Sequence, residues 1–233
     1  MNKTYVVLAV SLLSLSTSFA QERISGQLSG GSRVTGLIST TPVVENSEIE
    51  GSPYINDQFT PAKISASEGN IFYVRYNALK DEFEVKGENN ISYALNKYRR
   101  DIVVQLIAFK KTYQVFGYVD KNETENFGYF VDLSNPNSDI KLLKKENVTF
   151  IKEKLAVTSY DSSQPARYKR SNDEYYIKIN DNNAVELPTN KKDIAKLFPE
   201  HENEIIDFIK KERIKVKRED DAKTLINFIN QLS

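Results

Sequence analysis

The sequence predicts a mainly β protein with a C-terminal α appendage. An antiparallel meander, forming a sandwich or a partly open barrel, is expected over 53–187, followed by two to three short helices over 188–233. Two observations carry the β assignment: apolar residues recur with period two from Ile64 to Ile151, and the connections between these runs are short and polar. A third carries the appendage, because after Pro188 the apolar spacing changes to three and four.

Ile71 to Tyr76 reads as a strand apolar on both faces. Phe83 and Val85 alternate with Glu82, Glu84 and Lys86, the pattern of a strand with one wet face. Ile91, Tyr93 and Leu95 alternate with smaller or polar residues. Ile102 to Phe109 is almost continuously apolar and is expected to be a central strand covered on both sides. Lys110-Lys111 then marks a hairpin leading into Thr112 to Val119. Phe127 to Leu133, Ile140 to Leu143 and Val148 to Ile151 continue the meander, joined by Asp120 to Asn126, Ser134 to Ser138 and Lys145-Glu146. Parallel crossovers need a dozen or more residues, so connections this short imply antiparallel pairing. Thr158 to Asp173 reads as a long loop, and Glu174 to Asn180 with Ala184 to Leu187 as one more hairpin.

In the appendage, Asn190 is placed to cap a short helix carrying Ile194, Leu197 and Phe198, with Asp193 at the reciprocal position. Pro199 opens the next helix, where its missing N–H costs nothing. Its stripe is Ile205, Phe208 and Ile209; the final helix carries Ala222, Leu225, Ile226, Ile229 and Leu232. Docking on the β domain is expected through Ile205, Ile209, Leu225 and Ile229.

The first twenty residues read as a secretory signal. Lys3 gives a positive start, Val6 to Leu15 an apolar run, and Ser18-Phe19-Ala20 small residues before Gln21. Residues 21–52 read as a leader or linker with one short strand at Val34 to Ile38. The expected location is therefore outside the cytoplasm, periplasmic or extracellular, with the chain soluble after cleavage and without a transmembrane span.

Composition excludes several classes. The chain has 32 Lys plus Arg against 32 Asp plus Glu, so it is no globally basic nucleic-acid binder, and no nucleic-acid partner is expected. It has no Cys, which removes disulfides, thiolate metal sites and a Cys nucleophile. It has no Trp but 13 Tyr and 12 Phe, which suits pleated, half-buried surfaces.

Gly51-Ser52-Pro53-Tyr54-Ile55-Asn56-Asp57 with Phe59, then Arg75-Tyr76-Asn77-Ala78 and Asp81-Glu82-Phe83-Glu84-Val85, resemble an N-terminal pattern of uncharacterised exported proteins of Gram-negative Bacteroidota. The tail from Phe198-Pro199 through Phe208-Ile209-Lys210-Lys211 to Leu225-Ile226-Asn227-Phe228 resembles the helical module of the same group. The resemblance implies an envelope or secreted setting and a β-then-α order. It implies no activity.

No motif carries catalysis. His201 is the lone histidine and falls among glutamates at a helix start, which suits a structural role. Asp81, Glu82 and Glu84 form the densest acid group of the β region; a glycosidase needs two carboxylates facing across a substrate, whereas Glu82 and Glu84 with Lys86 read as a solvated strand face. Asp120, Asn122 and Glu123 lack the glycine that a sharp calcium loop needs, since Glu125 stands there, and read as a hairpin loop. Tyr73, Tyr76, Tyr93, Tyr113, Tyr118 and Tyr129 read as cross-strand core and rim pairs rather than a sugar-stacking face. Asn90, Asn122 and Asn147 open glycosylation sequons. Lys210, Lys211, Arg213, Lys215, Lys217 and Arg218 form the one marked basic run, a candidate contact for an anionic surface or a solvated linker balanced by Glu219 to Asp221.

No catalytic, cofactor-binding or metal-binding residue is assigned, and no cofactor is expected. The expected function is an exported, non-catalytic binding or scaffolding protein of the cell envelope, with an envelope protein, glycan or lipid as partner. The alternatives are a carrier of lipid or a small apolar ligand in a β-barrel cavity, and a carboxylate-dependent glycan hydrolase using Asp81, Glu82 or Glu84.

Overall fold

The structure is a computed structural model that describes residues 36–43, 49–67, 69–87, 91–135, 137–156 and 162–232. The signal segment 1–20, residues 21–35 and 44–48 of the leader (with the start of the strand expected at Val34 to Ile38), and Asn90 lie outside the described residues.

The strands are β1 (Ile38–Pro42), β2 (Thr60–Ile64), β3 (Ile71–Asn77), β4 (Glu82–Lys86), β5 (Ser92–Leu95), β6 (Val103–Leu106) and β7 (Lys111–Val119). They continue as β8 (Glu125–Asp132), β9 (Ile140–Lys145), β10 (Val148–Ile151), β11 (Arg167–Arg170), β12 (Glu174–Ile179) and β13 (Val185–Glu186). Eleven form one antiparallel sheet in the order β1-β5-β4-β3-β2-β6-β7-β8-β9-β12-β13. The protein is thus antiparallel β followed by helices, as the sequence predicts.

The sheet is rolled. Phe83 on β4 and Tyr129 on β8 lie five strand spacings apart along it, roughly 24 Å if it were flat. Their ring centroids are 5.1 Å apart. One face of β1 to β8 therefore curls inward over a core of Leu37, Ala62, Phe72, Val74, Tyr76, Phe83, Tyr113 and Tyr129, with Val148 of β10 packed against it. Tyr76, Phe83, Tyr113 and Tyr129 meet edge-on or tilted at 5.0–6.2 Å, each pair adding about 0.5–1.5 kcal/mol beyond its buried area. The seam of the roll is held by a side chain. Asp81, in the β3–β4 turn with φ +56°, accepts from the Tyr129 amide at 3.1 Å and the Tyr76 hydroxyl at 2.6 Å, and pairs with Lys145 at 3.1 Å.

The far half of the sheet is clothed differently on its two faces. On the face continuous with that inner core, Ile140 and Leu142 of β9 and Ile177 of β12 pack against the helices α1 (Lys191–Ala195), α2 (Glu202–Lys211) and α3 (Glu219–Leu232) through Ile194, Ile205, Ile209, Leu225 and Ile229. The four expected docking residues are all there. On the opposite face, Phe116, Phe130, Leu143, Tyr176 and Ala184 make a small third core, over which Ala184 returns to hydrogen-bond Gly117 and Val119 of β7. The helix ends follow the sequence. The Asn190 side chain accepts from the Lys192 amide, and Pro199 opens a 3₁₀ turn leading into α2. Asp193, expected to close the cap reciprocally, pairs with Lys196 instead.

Four expectations are corrected. Ile102 to Phe109 is not a strand covered on both sides: only Val103–Leu106 pairs, Gln105 is exposed, and Ile107 and Phe109 are 42% and 47% exposed in the following turn. Val148 to Ile151 leaves the meander and pairs with β11 in a separate two-stranded ribbon, Thr149 opposite Lys169. That same β11 sits inside the stretch read as a long loop. Glu84 is not on a solvated face; it is fully buried. In addition, β1 falls inside the stretch read as leader, where it pairs with β5.

Candidate functional site

The open end of the N-terminal roll holds a cavity of about 280 Å³ lined by Ile55, Asn56, Gln58, Thr60, Arg75, Tyr76, Leu106, Phe109, Lys111 and Tyr113. Ligand sites favour such positions, at barrel mouths with apolar walls and a few convergent polar groups. Register explains the assembly. Thr60 faces Val74, and Leu106 faces Lys111, so these side chains share the inner face at one end of the roll. The rings of Tyr76 and Tyr113 form the floor; their centroids are 5.3 Å apart although β2 and β6 separate their strands.

Charged groups close to the cavity are held by buried carboxylates. Arg75 on β3 stands opposite Glu84 on β4 and donates to it through Nε at 2.9 Å and Nη2 at 2.7 Å. The Tyr54 hydroxyl donates to the same carboxylate at 3.0 Å and the Asn77 amide at 3.3 Å. The Arg75 guanidinium lies 3.8 Å from the Tyr54 ring centroid and 4.4 Å from that of Phe59, held between two π faces. The segment carrying Tyr54 and Phe59 thus covers the outer face of β3 and β4, which is why Glu84 is dry.

A second cluster mirrors the first. Glu146, just past β9 and buried, accepts from Lys111 Nζ at 2.8 Å and from the Tyr113 hydroxyl, with Arg170 3.6 Å away. Burial raises the carboxyl pKa, but the Lys111 and Tyr113 hydrogen bonds and the charges of Lys111 and Lys144 outweigh it, holding the group below its ordinary value. Burial first, then the Glu146 charge, pushes the Tyr113 phenol far up; burial and Asp81 do the same for Tyr76. Both phenols therefore stay protonated and serve as donors.

The other predicted positions are dispersed. Asp81 holds the seam of the roll, Glu82 is half-buried, and Glu84 is sequestered by Arg75, so the three acids do not converge on one space. Asp120 is used by its own loop, accepting from the amides of Asn122 at 2.8 Å and Thr124 at 3.0 Å and from the Asn126 side chain at 2.9 Å. His201 Nδ1 lies 3.2 Å from Glu204. Lys210, Lys211, Arg213, Lys215, Lys217 and Arg218 are all exposed on the last turn of α2 and the connection to α3, while Val216 between them is buried against the helices. Lys210 pairs with Asp207 at 2.9 Å and Lys211 approaches Glu212 at 3.8 Å. Among the described residues no three His, Cys, Asp or Glu side chains are grouped to hold a metal, and no helix is long and apolar enough to cross a membrane.

Sequence reasoning missed the cavity because its walls come from β2, β3, β6, β7 and the segment at 55–58, which only the roll brings together. The available signal was Gly51 to Phe59, whose aromatic and turn residues precede the first long strand. No family model, no curated protein and no solved structure matches this chain.

Proposed function

We propose that the protein is an exported, non-catalytic binding module of the bacterial cell envelope, and that it holds its ligand at the mouth of the N-terminal roll. The observation carrying this reading is the rim of that cavity. Its inner-face cation, Lys111, is anchored by buried Glu146, and its floor and sides are ring and aliphatic surface. Such a surface is preorganised to hold a molecule, and its carboxylates are engaged in the architecture rather than presented to a substrate. The export assignment draws on the Lys3 to Ala20 segment and on the resemblance of Gly51 to Phe59.

The test is native mass spectrometry of the protein recovered gently from its own envelope fraction, beside a pull-down from that fraction. A small-molecule adduct released on denaturation is the expected result. A bare chain that also retains no envelope component overturns the proposal.

A further inference from the structure

We infer that the mouth of the roll binds an amphiphilic anion of about ten non-hydrogen atoms, with its charged head at Lys111 and its apolar body against Ile55, Leu106 and Phe109. The inference rests on the binding reading above and narrows it to a ligand class.

The sign of the charge follows from what lines the space. Among the described lining residues, Lys111 shares the inner face with the two phenols, whereas Arg75 alternates with the inward Val74 and Tyr76 and turns its guanidinium to the outer face under Tyr54 and Phe59. The partner of Lys111 lies behind it: the Glu146 side chain is 3% exposed, and Glu146 is not among the residues that line the cavity. A molecule entering therefore meets N–H groups before it meets carboxylate oxygens. Lys111 gives one N–H to Glu146 at 2.8 Å, and an ammonium carries three. Asn56, Gln58 and Thr60 place amide and hydroxyl groups on the same rim.

Size and polarity follow from the walls. At roughly 30 Å³ for each water-sized group, the 280 Å³ cavity holds nine or ten such groups. Phe109 stands half out of the turn after β6 beside exposed Ile107, leaving an apolar lip that a short aliphatic or aromatic body would cover. A medium-chain carboxylate and a short alkyl phosphate share this chemistry.

Isothermal titration of the full processed chain with octanoate, hexyl phosphate, octylamine and octanol tests the inference. One or both anions should bind, and the one that binds identifies the head group; the amine should bind at least tenfold more weakly. Equal binding of octanol or octylamine overturns the anion assignment while leaving the binding reading intact. Failure of all four overturns the amphiphilic-anion assignment, while the binding reading stands or falls on the native spectrum and pull-down. Lys111→Met should reduce anion affinity tenfold or more, but it also strands Glu146. The deciding variants are therefore Gln58→Glu and Gln58→Lys, at an exposed rim position. A unit charge about 6 Å from the head in a water-like dielectric should weaken or strengthen anion binding about threefold respectively. Affinities that do not move in opposite directions overturn the proposed pose.

Discussion

The two halves of the sheet close their cores by different chemistry. The N-terminal roll closes on aromatic rings whose hydroxyls are tied to acids, Tyr76 to Asp81 and Tyr113 to Glu146, and its wall contains the buried Arg75–Glu84 pair. The C-terminal half packs aliphatic side chains of β9 and β12 on α1, α2 and α3, and places its ion pair, Lys144 with Glu219 at 2.7 Å, at the rim. An aliphatic interface tolerates volume-conserving change and is indifferent to pH. A roll knitted by buried charges is intolerant of losing one partner, yet those same charges give its open end a defined polarity.

The largest effect is expected from removing the helices. Truncation after Pro188 bares Ile140, Leu142 and Ile177 to water, so calorimetry should show a much lower melting temperature or loss of the cooperative transition. An unchanged melting curve would separate the two halves entirely. Next comes Glu84→Ala, which strands a buried guanidinium and should destabilise by about 3–5 kcal/mol in urea titration. A cost below about 1 kcal/mol would mean that the roll does not depend on that pair.

Gly51→Ala follows. Its φ of +83° suits glycine, and an added Cβ would sit 2.5 Å from the backbone oxygen of Tyr168 on β11, so about 1–3 kcal/mol should be lost as the covering segment lifts. Glu146→Gln addresses pH. Its folded pKa is depressed, so its contribution is present above the unfolded value near 4.5 and disappears as pH falls through the folded one. The variant's melting temperature should therefore fall less steeply than the parent's below about pH 4.5; parallel slopes would remove Glu146 from the acid response. The smallest effect has the opposite sign. Among the described residues the Tyr129 hydroxyl is buried without a partner, so Tyr129→Phe should be neutral or stabilising by about 1 kcal/mol.

What the sequence disclosed was local. The burial of Phe83 and Val85, the Asn190 cap and the stripe of Leu225, Ile226 and Ile229 each report a neighbourhood of a few residues, and the structure has these as read. What it concealed was nonlocal. Glu84 alternates like a wet residue and is dry because Tyr54, thirty positions earlier, folds over it. Strand β2 was hidden by Pro61, which sits opposite Tyr73 just beyond the last residue paired with β6. The ribbon of β10 and β11 was hidden by the polar stretch that separates its strands. The candidate site was hardly legible, since its lining converges only once the sheet has rolled.

The hairpin of β7 and β8 joins the inner core of the roll to the third core, with Val115 and Tyr129 on one side and Phe116 and Phe130 on the other. It is also closed by a short loop that Asp120 organises on its own. Its contacts are close in sequence, whereas pairing β2 with β6 must wait for three intervening strands to be threaded. The chain should therefore acquire this ribbon early and build outward from it in both directions, and its amides should be the last to exchange with deuterated solvent.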